Sequence, residues 1–158
     1  MKIEIDLTRQ RLFLREGSRI RREFPVSTAA LGPGERNGSL CTPRGRHQIR
    51  AKIGAGAPAG TVFAGRRPTG EVYSPALGAQ FPQRDWILTR ILWLSGLERG
   101  RNRLREVDTM RRYIYIHGTA DETRLGAIGS HGCIRMGNAD IIELFDAVPA
   151  GTEVDLHE

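Results

Sequence analysis

The sequence has no long hydrophobic run, and its 158 residues include few aromatic residues, two lysines and two cysteines. Without about 20 consecutive apolar residues, the chain is not expected to cross a membrane as a helix. Residues 1–7 alternate charged and hydrophobic side chains, so they lack the continuous apolar core of a secretory signal. If the chain is the whole gene product, a cytoplasmic protein is expected, and a periplasmic one if a leader has been removed.

The two cysteines, Cys41 and Cys133, allow at most one disulfide within the chain. Disulfides belong to oxidising compartments, so two free thiols are expected. A zinc site built from His117, His131 and Cys133 is the lesser alternative, because these residues lack the spacing of the usual zinc motifs. No metal ion and no other cofactor is therefore expected.

Positive charge is in excess, with a net charge of +6 that comes almost wholly from arginine. Such a balance is found in proteins that bind nucleic acid, anionic lipid or acidic small substrates. The arginine pairs at 21–22, 66–67 and 111–112 are scattered and lack accompanying stacking aromatics. This favours a solvated surface without nucleic-acid binding, and a basic polyanion-binding module is kept as the alternative outside the enzymes.

Glycine is abundant, with 19 residues, which predicts many turns and a β-rich fold. Alternating and β-branched segments predict strands at 3–7, 11–15, 19–26, 45–53, 61–64, 113–116 and 152–156. Residues 86–94 fit a central strand or a short buried helix, and a strand is favoured. We expect one domain over residues 1–158, mainly β, with residues 100–107 as a lid or a helical turn.

One helix is expected near the C-terminus, after the loop that carries Cys133. Asn138 can cap it. Its apolar positions have the i, i+3, i+4, i+7 spacing of one helix face and are Ile141, Leu144, Phe145 and Val148. The turn residues at 149–151 end this helix before the last strand.

The segment from Ser130 to Arg135 and the upstream His117 supply what a cysteine nucleophile needs. A free thiol titrates near ~8.5 and is mostly unreactive at neutral pH, so a base must activate it. His117 follows the predicted strand 113–116, which fixes its ring and makes it the favoured base. His131, two residues before Cys133, is expected to shape the loop or line the pocket.

The groups around this pair have several possible roles. The ring of His117 needs an orienting partner, which is an acid (Asp121 or Glu122) or the backbone carbonyl of Gly118. The amides of Gly132 and Cys133 are expected to be open to a developing oxyanion. Arg135 either binds a substrate carboxylate through its fork or makes a structural salt bridge beneath the loop, and its position favours neither.

At these residues the sequence resembles the YkuD-like L,D-transpeptidase catalytic domain. The family pattern of a histidine about sixteen residues before the cysteine of Ser-His-Gly-Cys-x-Arg is complete from His117 to Arg135. The segment 42–49 is similar to the family's Thr-Pro-x-Gly-x-Phe-x-Ile, with His47 where an aromatic residue is usual. The resemblance covers nearly the whole chain.

This resemblance implies a mostly β catalytic domain, with mixed sheets in a sandwich or barrel, that acts on peptidoglycan stem peptides. Cys133 would attack the carbonyl of the third residue, the L-centre of a diamino acid, and expel the terminal D-alanine. His117, held by the Gly118 carbonyl, would take the thiol proton. Ser130, Gly132 and Cys133 would surround the oxyanion, and carbapenems would acylate the cysteine.

The resemblance leaves two fates for the acyl-enzyme. Transfer to an amine gives a 3–3 cross-link or an attached protein, and transfer to water gives a tripeptide. Relatives without a signal resemble L,D-carboxypeptidases that trim recycled muropeptides. With the expected cytoplasmic location, hydrolysis is favoured, and the scattered arginines would hold the carboxylates of a muropeptide. The oligomeric state is not readable from the sequence.

Overall fold

A single ten-stranded sheet that closes on itself dominates the fold in the computed structural model, which describes residues 1–158. Its strands in chain order are β1 (Lys2–Asp6), β2 (Arg11–Glu16), β3 (Arg19–Ser27), β4 (Gly45–Ile53), β5 (Thr61–Ala64), β6 (Arg67–Val72), β7 (Ile87–Gly96), β8 (Tyr115–Gly118), β9 (Ile134–Met136) and β10 (Glu153–His157). The order in the sheet is β4-β10-β1-β2-β3-β9-β8-β7-β5-β6. Because β4 also pairs with β7, the first eight strands of this order, β4 through β10 and β1 to β7, form a closed barrel. The last two strands, β5 and β6, extend from its wall. The expected mainly β fold is confirmed.

The interior of the barrel holds a cluster of 20 buried hydrophobic residues. Strand β1 shows how the sequence fills it, since Ile3 and Ile5 are buried while their chain neighbours are partly exposed. β1 pairs in parallel with β10 and antiparallel with β2. Each fully buried aliphatic side chain of this kind contributes about 1.5–3 kcal/mol to folding.

Two α-helices accompany the sheet, α1 (Pro75–Gln80) and α2 (Asn138–Ala147). The predicted apolar face of α2 is confirmed, because Ile141, Leu144 and Phe145 are buried and join the core cluster. The predicted cap is wrong by one residue: Gly137 occupies the cap position. Asn138 begins the helix, and its side-chain amide donates to the carbonyl of Thr119 at 2.8 Å, which ties α2 to the end of β8.

Several boundaries differ from the sequence expectation. Residues 86–94 are strand, as favoured, within β7. The predicted strand 113–116 starts later, since Tyr113 is left-handed (φ 55°) after the 3₁₀ turn Met110–Arg112. Strand β6 was not foreseen, because its exposed sequence with Pro68 and Gly70 is typical of a turn. The segment 100–107 ends in a 3₁₀ turn at Arg105–Val107.

None of the helices combines the length and the apolar character that crossing a bilayer requires.

Candidate active site

The parallel pairing of β8 with β9 places the sequence-predicted residues together. Ile116 pairs with Ile134, and both are fully buried in the barrel core. Because side chains alternate across a strand, the residues on either side of these two isoleucines point to the opposite face. The residues on that face are Tyr115, His117, Cys133 and Arg135.

Cys133 lies at a cavity of about 470 Å³ on this face. Aromatic and aliphatic residues line the cavity together with three arginines and one acid. The charged members are Arg66, Asp85, Arg112 and Arg135. His117 lies behind this wall, with a side chain that is only 1% exposed.

The thiol of Cys133 is held by the backbone at the start of β8. Its Sγ accepts the N–H of Tyr115 at 3.3 Å and donates to the carbonyl of Tyr113 at 3.4 Å. Burial raises the pKa of this thiol to about 12, against the opposing effect of the Tyr115 N–H. The sulfur makes no hydrogen bond to His117, and with this raised pKa the thiol is neutral at pH 7.

The ring of His117 is oriented by the backbone. Its Nδ1 lies 2.7 Å from the carbonyl oxygen of Gly118. Since a carbonyl can only accept, Nδ1 carries the proton and Nε2 is free to act as a base. Burial lowers the pKa of His117, and the ring is neutral at rest. The two acids near in sequence have other partners, because Asp121 accepts from Thr123 and Glu122 accepts from Asn138.

The loop before Cys133 is fastened by Ser130. Its Oγ donates to the carbonyl of Cys133 at 2.6 Å and accepts the N–H of Gly132 at 3.1 Å. The expectation that the Gly132 amide is open to an oxyanion is therefore wrong, because this hydrogen bond already uses it. The N–H of Cys133 donates to no protein atom, and it stays available.

Gly132 is required by its backbone and by its surroundings. Its φ of 129° lies in the region that favours glycine, and an added Cβ would sit 3.2 Å from the carbonyl oxygen of Cys41. His131 is exposed and lines the mouth of the cavity, as one of its two predicted roles required.

Arg135 combines features of both its predicted roles. Its Nη1 donates to the carbonyl of Gly129 at 3.2 Å, and its Nη2 lies 3.6 Å from the carboxylate of Asp85. The guanidinium also borders an adjoining cavity of about 360 Å³. Arg135 therefore stabilises the loop before Cys133 and places a positive charge between the two cavities.

Sequence reasoning missed three residues of this site. Arg66, in the turn between β5 and β6, donates to the hydroxyl of Tyr115 at 3.0 Å. Asp85, before β7, and Arg112, at the end of the 3₁₀ turn Met110–Arg112, reach the cavity from segments that the motif does not include. No spacing rule connects these residues to Cys133, and only the closure of the sheet brings them there.

Two further predictions concern the disulfide and the zinc site. Cys41 and Cys133 are both free thiols. No three side chains of the metal-ligating types lie close enough together to hold a metal ion, so the zinc alternative has no ligand set. His47 is fully buried in the barrel wall.

Comparison with known proteins points to one family. A family model described as the YkuD L,D-transpeptidase catalytic domain matches residues 1–156. Among curated proteins, "Putative L,D-transpeptidase YkuD" from Bacillus subtilis is 45% identical over 47 residues, which are 30% of this chain and 29% of that protein.

Solved structures of similar fold carry the same family name. The L,D-transpeptidase of Xylanimonas cellulosilytica (residues 123–326) aligns over 98% of this chain and 59% of its own, with a TM-score of 0.55 and 22% identity. L,D-transpeptidase 3 from Mycobacterium tuberculosis, in complex with a faropenem-derived adduct, aligns over 99% and 59%, with a TM-score of 0.56 and 14% identity. The chain thus spans little more than half the length of these two proteins, and at such identities they show the fold alone.

Proposed function

Since the chain belongs to the YkuD family of L,D-transpeptidase catalytic domains, we propose that Cys133 is the nucleophile of an acyl-transfer reaction on peptidoglycan stem tetrapeptides. The observation that carries this proposal is the shared face of Cys133 and His117 on β8 and β9 beside a cavity of about 470 Å³. The bond attacked joins the third-residue L-centre to the terminal D-alanine.

Activation starts from a neutral pair. As the substrate carbonyl approaches, the thiol leaves the carbonyl of Tyr113 and turns toward the ring, and Nε2 of His117 takes its proton while the S–C bond forms. The protonated ring then donates this proton to the amine of D-alanine as the C–N bond breaks. The Gly118 carbonyl keeps the ring in one orientation through both transfers, since its partner Nδ1 stays protonated.

The oxyanion is stabilised by the N–H of Cys133, which has no partner in the protein. One preorganised donor of this kind is worth roughly 2.7–4 kcal/mol in the transition state. Ser130 and Gly132 act indirectly: the hydroxyl of Ser130 accepts the N–H of Gly132 and donates to the carbonyl of Cys133, which holds the backbone of Cys133 in place.

The thioester passes to water or to an amine. The sequence favours hydrolysis, an L,D-carboxypeptidase reaction, because it predicts a cytoplasmic location. Hydrolysis and the cytoplasmic location both stay predictions. A specific feature favours transfer to an amine: the adjoining cavity of about 360 Å³ shares Asp85, His131 and Arg135 with the first. A second peptide placed there would present its amine beside the thioester.

The test is incubation of the purified protein with a disaccharide-tetrapeptide, with products read by mass. Loss of one alanine indicates hydrolysis, and a linked dimer indicates transpeptidation. Cys133→Ala abolishes either product while the circular dichroism spectrum is unchanged. Turnover retained in Cys133→Ala would contradict the proposal, and so would salt-sensitive binding of an anionic polymer as the only activity.

A covalent probe gives a second readout. Incubation with a penem or carbapenem should add one acyl group to the intact protein, and peptide mapping should place it on Cys133 and not on Cys41. Acylation of Cys41 alone would contradict the assignment of the nucleophile.

A further inference from the structure

Arg112 is a half-buried cation without an acidic partner. Its guanidinium donates to the carbonyls of Gly34 and Cys41, at 3.1 and 2.5 Å, and to the hydroxyl of Ser39 at 3.3 Å. No carboxylate forms a salt bridge with it, although twelve such pairs exist elsewhere in the chain. Burial lowers the pKa of this arginine, and the more distant charge of Glu35 opposes this shift only in part.

The other two arginines of the cavity are differently placed. Arg135 has the carboxylate of Asp85 at 3.6 Å. Arg66 lies over the ring of Tyr113, with its guanidinium carbon 4.7 Å from the ring centroid, and bonds to the hydroxyl of Tyr115. The cavity therefore carries three guanidinium groups and one carboxylate. Neither Arg66 nor Arg112 has a carboxylate partner, and Arg112 is the one of the two whose pKa is lowered by burial.

An arginine has five N–H donors, and the neutral acceptors use only part of this set. Holding a desolvated cation beside a cavity is unfavourable unless an anion completes its shell. A carboxylate fits because it matches the planar fork of a guanidinium. The positive charge of Arg112 also lowers the pKa of Cys133, against the larger effect of burial. An anion bound by Arg112 therefore lies close to the proposed nucleophile.

We propose that Arg112 binds a free carboxylate of the acyl-donor peptide and so selects donors that carry this charge. The inference rests on the proposed function for the identity of the peptide. Two carboxylates of a stem tetrapeptide qualify, the one on the terminal D-alanine and the one on the side chain of a diamino acid. Both present the same chemistry to the guanidinium.

Arg112 also ties the segment 34–41 to the cavity wall, so its loss will disturb the site in any case. The test must therefore compare two ligands that differ only in charge. A structural disturbance, or a changed thiol pKa, affects both ligands alike, whereas loss of a carboxylate contact affects only the anionic one.

The first experiment needs no peptidoglycan. In a Cys41→Ser background, the rate constants for alkylation of Cys133 by iodoacetate and by neutral iodoacetamide are measured as a ratio. Arg112→Gln should lower this ratio by about threefold or more, because the cation attracts the anionic reagent. The matched control is Arg111→Gln, which removes the charge of an exposed neighbour outside the cavity, and it should leave the ratio unchanged.

The second experiment uses tetrapeptides with each carboxylate either free or converted to a carboxamide. The unmodified protein should prefer the free form of one of them in kcat/KM by about tenfold or more, as for a hydrogen-bonded charge pair. Arg112→Gln should bring that preference close to one. The carboxylate for which Arg112→Gln loses the preference for the free form is the one that Arg112 binds.

A ratio and a preference that both survive Arg112→Gln would overturn the inference and leave the proposed function standing. A protein that turns over no peptide, but whose alkylation ratio still depends on Arg112, would overturn the proposed function and support the anion site. If Arg112→Gln does not fold, Arg112→Lys replaces it. That variant keeps the charge and loses the fork, so the carboxylate preference should fall, and an unchanged preference would again overturn the inference.

Discussion

The hydroxyl of Thr42 donates a 2.8 Å hydrogen bond to the carbonyl of Gly132, 90 residues away in the sequence. The same oxygen accepts the N–H of Ala29 at 3.0 Å. Thr42 therefore joins the segment before β4, the segment after β3 and the loop that presents Cys133. It belongs to the Thr-Pro segment that the sequence analysis identified only by resemblance.

Thr42→Val should loosen this junction. The substitution keeps the shape of the side chain but leaves a buried carbonyl and a buried N–H without their partner, which costs about 1–3 kcal/mol in the free energy of unfolding. Urea denaturation measures this cost, and kcat should fall because the Cys133 loop is less well held. Thr42→Ser keeps the hydroxyl and is the control. Equal stability and kcat in Thr42→Val and the unmodified protein would show that the junction has no such role.

The two histidines of the site should differ in importance. His117→Ala removes the proposed base and should lower kcat by at least about 100-fold. His131→Ala removes an exposed residue at the cavity mouth and should cost much less. Single-turnover acylation by the tetrapeptide separates the two effects. The reverse order would mean that His131 is the base.

The thiol of Cys133 should respond to pH as a neutral group. With a pKa raised to about 12 by burial, its alkylation by iodoacetamide at pH 7 should be slower than that of a small free thiol. The rate should rise about tenfold per pH unit up to pH 9 without a plateau, since only the thiolate reacts. A plateau near pH 6–7 would reveal a preformed thiolate–imidazolium pair and contradict the neutral resting state.

The sequence predicted the pair Cys133 and His117 because their roles depend on local features, a strand end and a glycine-containing loop. It predicted the barrel strands other than β9 because alternation of residues such as Ile3 and Ile5 is a local pattern, whereas β9 has only three residues. It predicted open amides at both Cys133 and Gly132, and it could not predict that the amide of Gly132 is occupied. That difference is decided by the rotamer of Ser130, which no spacing encodes.

Arg112 and Asp85 show a second limit of sequence reasoning. Both lie outside the motif, and charged residues in irregular segments are usually solvated. Their place at the cavity follows from the pairing of β7 with β8 and from the path of the segments before those strands. Such long-range placement depends on the whole sheet, so it becomes visible only once the fold is known.

His47 should make the protein less stable in mild acid. The ring is fully buried, with Nδ1 at 2.9 Å from the carbonyl of Gly45 and Nε2 at 2.8 Å from the hydroxyl of Thr109. Burial lowers its pKa to about 4, against about 6.5 in an unfolded chain. Between these values the unfolded state binds the proton and the folded state does not, so stability is complete above about pH 6.5 and falls as the pH approaches 4.

His47→Gln removes this titration while retaining a polar side chain. Between pH 7 and pH 4.5 the unmodified protein should lose about 2 kcal/mol of unfolding free energy through His47 alone, and the variant should lose that much less. Urea denaturation at the two pH values measures both losses, with His131→Gln as the exposed control. An equal loss in His47→Gln and the unmodified protein would mean that His47 gains its proton without unfolding, which its two neutral partners and complete burial argue against.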